Sequence, residues 1–205
     1  MRYAPRVQIK NVEFEQSAPS LAACPPPSLP EFAFIGRSNV GKSSLLNLIA
    51  NRKQLAYVSA TPGHTKLINH FRVDKAWYLV DLPGYGYAKV AREDRSKFSA
   101  FVADYLENRE TLELVFLLID SRHEPQKMDL DFVDWLADAE VPFVVVFTKS
   151  DAVSKTKLAH HMELFRAEMA ARFEQVPEMF ATSASEREGR GPLLKLIASI
   201  LEDER

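Results

Sequence analysis

Residues 36–43 read Gly-Arg-Ser-Asn-Val-Gly-Lys-Ser, entered from the apolar run 32–35 and followed by Leu45, Leu46, Leu48 and Ile49 at helical spacing. A glycine, four residues and then Gly-Lys-Ser, set between a strand and a helix, is the pattern of a loop that cradles phosphate. Glycine lets consecutive backbone N–H groups close around phosphate oxygens, and the helix N-terminus adds partial positive charge. Gly36, Arg37, Ser38, Asn39, Val40, Gly41, Lys42, Ser43 and Ser44 are therefore candidate nucleotide-binding residues. Lys42 is expected to reach the β- and γ-phosphates, and the Ser43 hydroxyl to bind Mg²⁺. Such a loop needs a sheet with an open carboxyl edge and a helix packed on its face.

The rest of the chain supplies that sheet. Short apolar runs at 32–35, 77–80, 114–119, 143–147 and, more weakly, 179–181 alternate with helical patterns at 42–50, 95–106, 127–137, 155–173 and 192–201. Residues 67–73 alternate and read as a strand with one exposed face. This is the signature of βαβ units. The fold class predicted is α/β, with a mostly parallel sheet of six to seven strands and helices on both faces. Six of the 12 prolines fall in the first 30 residues, which predicts an irregular extension over 1–30 that adds an edge strand from Val7 to about Phe14. A single domain is expected over 31–205.

Two further strand ends carry chemistry. The run 77–80 leads into Asp81-Leu82-Pro83-Gly84. An aspartate leaving a buried strand needs a cationic partner, and a Mg²⁺ held by Ser43 supplies one, with Asp81 reaching it through water. Gly84 would bring its N–H to the γ-phosphate. The run 143–147 leads into Thr148-Lys149-Ser150-Asp151. A carboxylate there accepts both N1–H and N2–H₂ of guanine; adenine offers neither donor and would leave it unpaired, a discrimination of roughly 10⁴. Lys149 would lay its stem along the base, and the N–H groups of Thr182-Ser183-Ala184 would meet guanine O6.

These boxes, in this order and each at a strand end, resemble those of the translation-factor-related GTPases. More narrowly, the chain resembles the EngB (YihA or YsxC) family of small bacterial GTPases associated with ribosome assembly. Beyond the boxes, the likeness rests on residues 17–20 (Ser-Ala-Pro-Ser), 30–45, 61–65 (Thr-Pro-Gly-His-Thr) and 81–88 (Asp-Leu-Pro-Gly-Tyr-Gly-Tyr-Ala). The resemblance implies a Ras-like P-loop GTPase that binds GTP and GDP. It implies a second box at Gly63, His64, Thr65, Lys66 and Leu67, in which Thr65 coordinates Mg²⁺ and senses the γ-phosphate; spacing alone leaves Thr61 as a rival. The catalytic set becomes Lys42, Thr65 and Gly84, and the metal ligands Ser43, Thr65 and Asp81. Thr148 departs from the asparagine that many GTPases carry and offers fewer hydrogen bonds. Tyr85 stands where Ras-like enzymes place a water-orienting glutamine, so turnover should be slow, on the order of 10⁻⁴ s⁻¹. K⁺ held by Asn39 and backbone carbonyls of the Thr61–Thr65 segment is a remedy that the resemblance implies; the alternative reading is that Asn39 merely caps the loop. The segments near 52–66 and 82–97 would switch. The family role implied is a step in large-subunit ribosome assembly, with consequences for cell division and septum formation. The competing readings are a GTP-dependent binding module whose hydrolysis is incidental and a regulatory GTPase of another complex.

Charge and composition bound the partners. With 26 Lys+Arg against 28 Asp+Glu the net charge is −2, too small a field for general nucleic-acid binding. Ribosomal RNA or protein must then be met through a local patch. Lys89, Arg92, Arg95 and Lys97, with His64, Lys66, His70 and Arg72, are candidates, or else a solvated face. Arg92 and Arg95 read as solvated helix residues rather than arginine fingers, Phe98, Phe101, Val102 and Tyr105 as core, and His123, His160 and His161 as surface. The one cysteine, Cys24, excludes a disulfide framework and fits a reducing cytoplasm. Leu21-Ala22-Ala23-Cys24 looks like a lipoprotein cleavage box, but the preceding residues are acidic and proline-interrupted where a signal needs an apolar stretch of roughly 7–15 residues. No apolar run approaches the roughly 18 residues of a membrane span. A cytoplasmic monomer without a membrane partner is expected.

Overall fold

A computed structural model describes residues 9–52, 55, 67–85 and 92–203, with the backbone alone over 92–99. Seven strands, β1 (Val12–Ala18), β2 (Glu31–Gly36), β3 (Ile68–Val73), β4 (Trp77–Asp81), β5 (Leu112–Asp120), β6 (Phe143–Thr148) and β7 (Met179–Ala181), form one sheet in the order β1-β3-β4-β2-β5-β6-β7. The β2–β4, β2–β5, β5–β6 and β6–β7 pairings are parallel. The β1–β3 and β3–β4 pairings are antiparallel. Among the described residues there are five α-helices: α1 (Lys42–Ala50), α2 (Arg92–Asn108), α3 (Lys127–Asp138), α4 (Lys155–Ala170) and α5 (Arg190–Asp203).

The central strands read as unbroken apolar runs because both of their faces are covered. Phe32 and Phe34 of β2, Phe116 and Leu118 of β5 and Val146 of β6 meet Leu45, Leu46 and Ile49 of α1 and Leu193 and Ile197 of α5 on one face. Ala33, Ile35, Leu117 and Val145 point the other way, towards Val102 and Tyr105 of α2, Val133 and Leu136 of α3, and Phe165 and Met169 of α4. Each fully buried side chain of this kind is worth about 1.5–3 kcal/mol. No helix among the described residues is long and apolar enough to cross a membrane.

Four expectations need correcting. The edge strand begins at Val12 rather than Val7, because the Asp74 carboxylate in the β3–β4 turn accepts the backbone N–H groups of Lys10 and Asn11 and pins the chain just before pairing starts. Residues 1–8 lie outside those described. Strand β3 has no open face: Ile68, Asn69, His70 and Phe71 are all buried. His70 therefore does not belong to a surface patch. Its ring packs edge-on against Tyr78, and its Nε2 lies 3.3 Å from Glu31 Oε2. His161 is buried too, with its Nδ1 2.8 Å from the Ser121 carbonyl oxygen.

Candidate nucleotide site

The chain leaves β2 in one direction to β4 and in the other to β5, so the carboxyl ends of these strands flank a topological switch point, where open α/β sheets bind ligands. Gly36 closes β2 with no space beside it: a Cβ there would lie 2.7 Å from the Leu118 carbonyl oxygen. The loop then turns through Asn39 (φ 64°) and Gly41 (φ 104°), and Gly41 forms the N-cap of α1 without a side-chain hydrogen bond. The first turn of α1 has no acidic residue, and Ser43 and Ser44 are exposed there. This leaves the helix N-terminus, with its unpaired N–H groups, turned to an anion.

Asp81 ends β4 almost fully buried. Lys42 Nζ donates to its Oδ1, and Asn69 Nδ2 lies 3.5 Å from its Oδ2. The cationic partner that the sequence demanded is thus supplied from the phosphate loop itself. Gly84 packs directly on that loop, where a Cβ would lie 2.6 Å from the Gly36 carbonyl oxygen and 3.4 Å from Ser38 N. The next residue, Tyr85, donates its N–H to the same Gly36 oxygen at 3.2 Å. A hydroxyl (Ser43) and a carboxylate (Asp81) at adjoining strand and helix ends are hard oxygen donors of the kind Mg²⁺ takes.

Thr148, Lys149 and Asp151 build the far side. The Thr148 hydroxyl lies 2.5 Å from the Val40 carbonyl oxygen and 3.1 Å from that of Ile119. One hydroxyl thus ties β5 and β6 to the phosphate loop, where an amide was the commoner choice. Lys149 Nζ donates to the Asn39 carbonyl oxygen at 2.6 Å and to Asp120 Oδ2 at 2.8 Å. Asp120 also accepts a fork of bonds from Arg122 Nε and Nη2. Burial would raise the Asp120 pKa, but Arg122 and Lys149 overcome this and hold it well below the ordinary carboxylate range. Asp151 stands exposed at the rim; the Ser183 hydroxyl donates to its Oδ1 at 2.6 Å and, with Ser185, lowers its pKa. Thr182 N donates to the Phe147 carbonyl oxygen, and Ser150 N to that of Thr182, which fixes the two loops against each other. Gly41, Ser44 and Leu45 face Thr148, Lys149, Asp151, Thr182, Ala184 and Ser185 across a cleft of about 200 Å³.

The structure thus gathers Arg37, Lys42, Asp81, Gly84, Thr148, Lys149, Asp151, Ser183 and Ala184 along one sheet edge. Leu82 and Pro83 are buried beneath it, and Leu67 lies just ahead of β3. Gly63, His64, Thr65, Lys66 and Thr61 lie outside the described residues. Sequence reasoning missed Asp120 and Asp129. For Asp120 the signal was present, since the argument that exposed Asp81, an acid at a buried strand's end, applies equally at the end of β5. Asp129 sits in the first turn of α3, where an acid reads as solvated, yet it is fully buried.

Residues 31–149 match the protein family described as 50S ribosome-binding GTPase. The chain is 48% identical over 198 residues to a protein of Flavobacterium johnsoniae named "Probable GTP-binding protein EngB", spanning 96% of this chain and 94% of that one. A protein of the same name from Bacteroides fragilis is 46% identical over 194 residues, 95% of this chain and 96% of its own. A solved structure described as "Crystal structure of a probable GTP-binding protein engB" superposes with a TM-score of 0.68 at 20% identity, over 84% of this chain and 99% of that chain, a likeness of fold alone.

Proposed function

This chain belongs to the EngB family of GTP-binding proteins, and from that premise we propose that it binds GTP and GDP through the cleft at the carboxyl edge of its sheet and hydrolyses GTP slowly as a switch in large-subunit ribosome assembly. Its seven-stranded, mostly parallel sheet with helices on both faces is the Ras-like P-loop GTPase fold. The observation that carries the reading is the cleft of about 200 Å³ between Gly41 and Asp151. It is apolar enough for a base and has a single carboxylate at its rim. Asp151 accepts N1–H and N2–H₂ of guanine, Lys149 flanks the base, and of the three residues expected to meet O6 the Ala184 N–H is the donor, since those of Thr182 and Ser183 go to the Phe147 and Glu188 carbonyl oxygens.

The phosphates lie on the backbone of residues 38–44, with Lys42 turning from Asp81 to the β- and γ-oxygens. Ser43, Thr65 and, through water, Asp81 would hold Mg²⁺, which would supply positive charge to the phosphates. Thr65 and Gly84 read the γ-phosphate, and their segments, near 52–66 and 82–97, carry the state to a partner. Tyr85 offers no amide to orient water, hence the slow rate; K⁺ beside Asn39 would raise it. A ribosomal partner is supported by the family description of 50S ribosome binding; the place in cell division and septation and the cytoplasmic setting rest on the resemblance to the EngB family alone.

The test is competition for bound fluorescent GDP. GTP should displace it, and ATP should fail even in large excess. Asp151→Asn should lose preference for guanine by about 10²-fold or more and gain it for xanthine nucleotides, whose O2 accepts from the amide. An unaltered guanine preference in that variant would refute the assignment.

A further inference from the structure

Asp129, in the first turn of α3, is fully buried, and it joins two residues that flank the phosphate site from different segments. Its Oδ1 accepts from the Tyr85 hydroxyl at 2.9 Å and lies 3.0 Å from Arg37 Nε, the second residue of the phosphate loop. Arg37 and Tyr85 are themselves joined by a parallel backbone bridge that extends the β2–β4 pairing past the strand ends. The Tyr85 ring is fixed in addition by stacking on Phe132, with centroids 4.5 Å apart and planes at 21°. One carboxylate therefore fastens both the loop that wraps the phosphates and the residue that follows Gly84.

We propose that Asp129 is a positioning residue for the γ-phosphate: through Tyr85 it holds the Gly84 backbone against the phosphate loop, so that the chain's hold on a triphosphate, and not its hold on guanine, depends on Asp129. The inference rests on the guanine-nucleotide reading above. Two features distinguish it from a passive clamp. The aromatic stack on Phe132 already anchors the Tyr85 ring, so a buried charge is not needed to pack it. Among the described residues the ionic part is also incomplete: Asp129 Oδ2 has no hydrogen-bond partner, and Arg37 Nε, 3.0 Å from Oδ1, is not aligned for one. An unsatisfied buried carboxylate oxygen is costly, and a shift of the Arg37 loop, which is the loop the phosphates fill, changes that cost. Burial pushes the Asp129 pKa up, with Tyr85 and Arg37 opposing.

The experiment compares affinities for GDP and for the β,γ-imido analogue of GTP, together with single-turnover hydrolysis, in the full chain and in Asp129→Asn, Tyr85→Phe and the double variant. Asn keeps the shape and an acceptor while removing the charge; Phe keeps the stack on Phe132 and therefore the fold. Each single variant should lose about five- to tenfold in analogue affinity relative to GDP, with GDP binding within twofold of the parent and turnover falling in step. The double variant should be no worse than the worse single, because both break one connection. An analogue-to-GDP ratio within twofold of the parent in either single variant, a parallel loss of both nucleotides, or effects that multiply in the double variant would overturn the proposal. A parent chain that bound neither nucleotide would instead fail the guanine-nucleotide reading itself.

Discussion

A carboxylate taken fully out of water must have its charge met, and Glu31 at the start of β2 is met from every side. Oε1 accepts from Arg109 Nε at 2.8 Å, from Arg109 Nη2 and from the Thr111 hydroxyl; Oε2 accepts from the Tyr105 hydroxyl at 2.5 Å and faces His70 Nε2. Burial alone would raise its pKa, but the bonds from His70, Arg109 and Tyr105 outweigh that and bring it down to about 2 from 4.5. The folded carboxyl thus titrates below the unfolded one. The stabilisation it brings is complete above the unfolded pKa and drains away as the pH falls from about 4.5 towards 2. Glu31→Gln should cost about 3–5 kcal/mol at pH 7, since it leaves the Arg109 charge buried and unanswered. Urea titrations at pH 7, 5 and 3.5 should show the gap between parent and variant narrowing only at the lowest pH; a gap constant across the series would contradict this account. Of this cluster only the burial of Tyr105 was legible in the sequence, because His70 and Arg109 lie 39 and 78 residues from Glu31. The phosphate loop was legible because its chemistry is local: the residues that make it are consecutive.

The parallel strands could be read one by one as short apolar runs, since burial on two faces writes itself directly into composition. Strand β1 was read only in part, as an edge strand from Val7 to about Phe14 where the structure has Val12–Ala18. Its sequence, Val-Glu-Phe-Glu-Gln-Ser-Ala, is mostly polar, and it exists because β3 offers it an edge. Val12 and Ala18 are buried at its two ends, Ser17 donates to Asn69 Oδ1 at 2.6 Å, and the register slips between Phe14 and Gln16. Further on, the Pro25 carbonyl oxygen accepts from Arg109 Nη2 at 2.8 Å, which clasps the proline-rich segment over the Glu31 cluster. This arrangement makes residues 9–30 a brace on the flank and at the amino ends of the strands, away from the cleft at the opposite ends. Deleting residues 1–29 should therefore cost about 3–4 kcal/mol, a fall of about 10 °C in melting temperature. The GDP dissociation constant should change by no more than about threefold, Asn69 being the one described link from β1 to Asp81. A truncated chain that melted cooperatively yet had lost GDP would place the extension within the site.

For the molecule as a whole, the order of boxes along the chain foretold the fold class, because a parallel sheet with a single switch point brings every strand-end motif to one edge. It foretold the outer surface less well. His70 is buried, and Arg72 is engaged by Glu13 and Glu15, at 3.8 and 3.1 Å. The basic patch proposed to meet a ribosome therefore contracts to Lys66, Lys89, Arg92, Arg95, Lys97 and His64, all of which fall in the two segments proposed to switch. A chain with a net charge of −2 has no long-range pull towards RNA to compensate. Association should then depend on the nucleotide more than on charge. In sucrose-gradient sedimentation the protein should travel with large-subunit particles in the presence of the β,γ-imido analogue of GTP and stay at the top with GDP. With about five cations at the contact, affinity should fall by about 500-fold between roughly 50 and 200 mM salt, short of the loss of about 10³–10⁵ expected of a protein with 6–10 phosphate contacts. Equal co-migration with either nucleotide would mean that the contact lies outside these segments, and the ribosome would then be bound by a surface that the switch does not control.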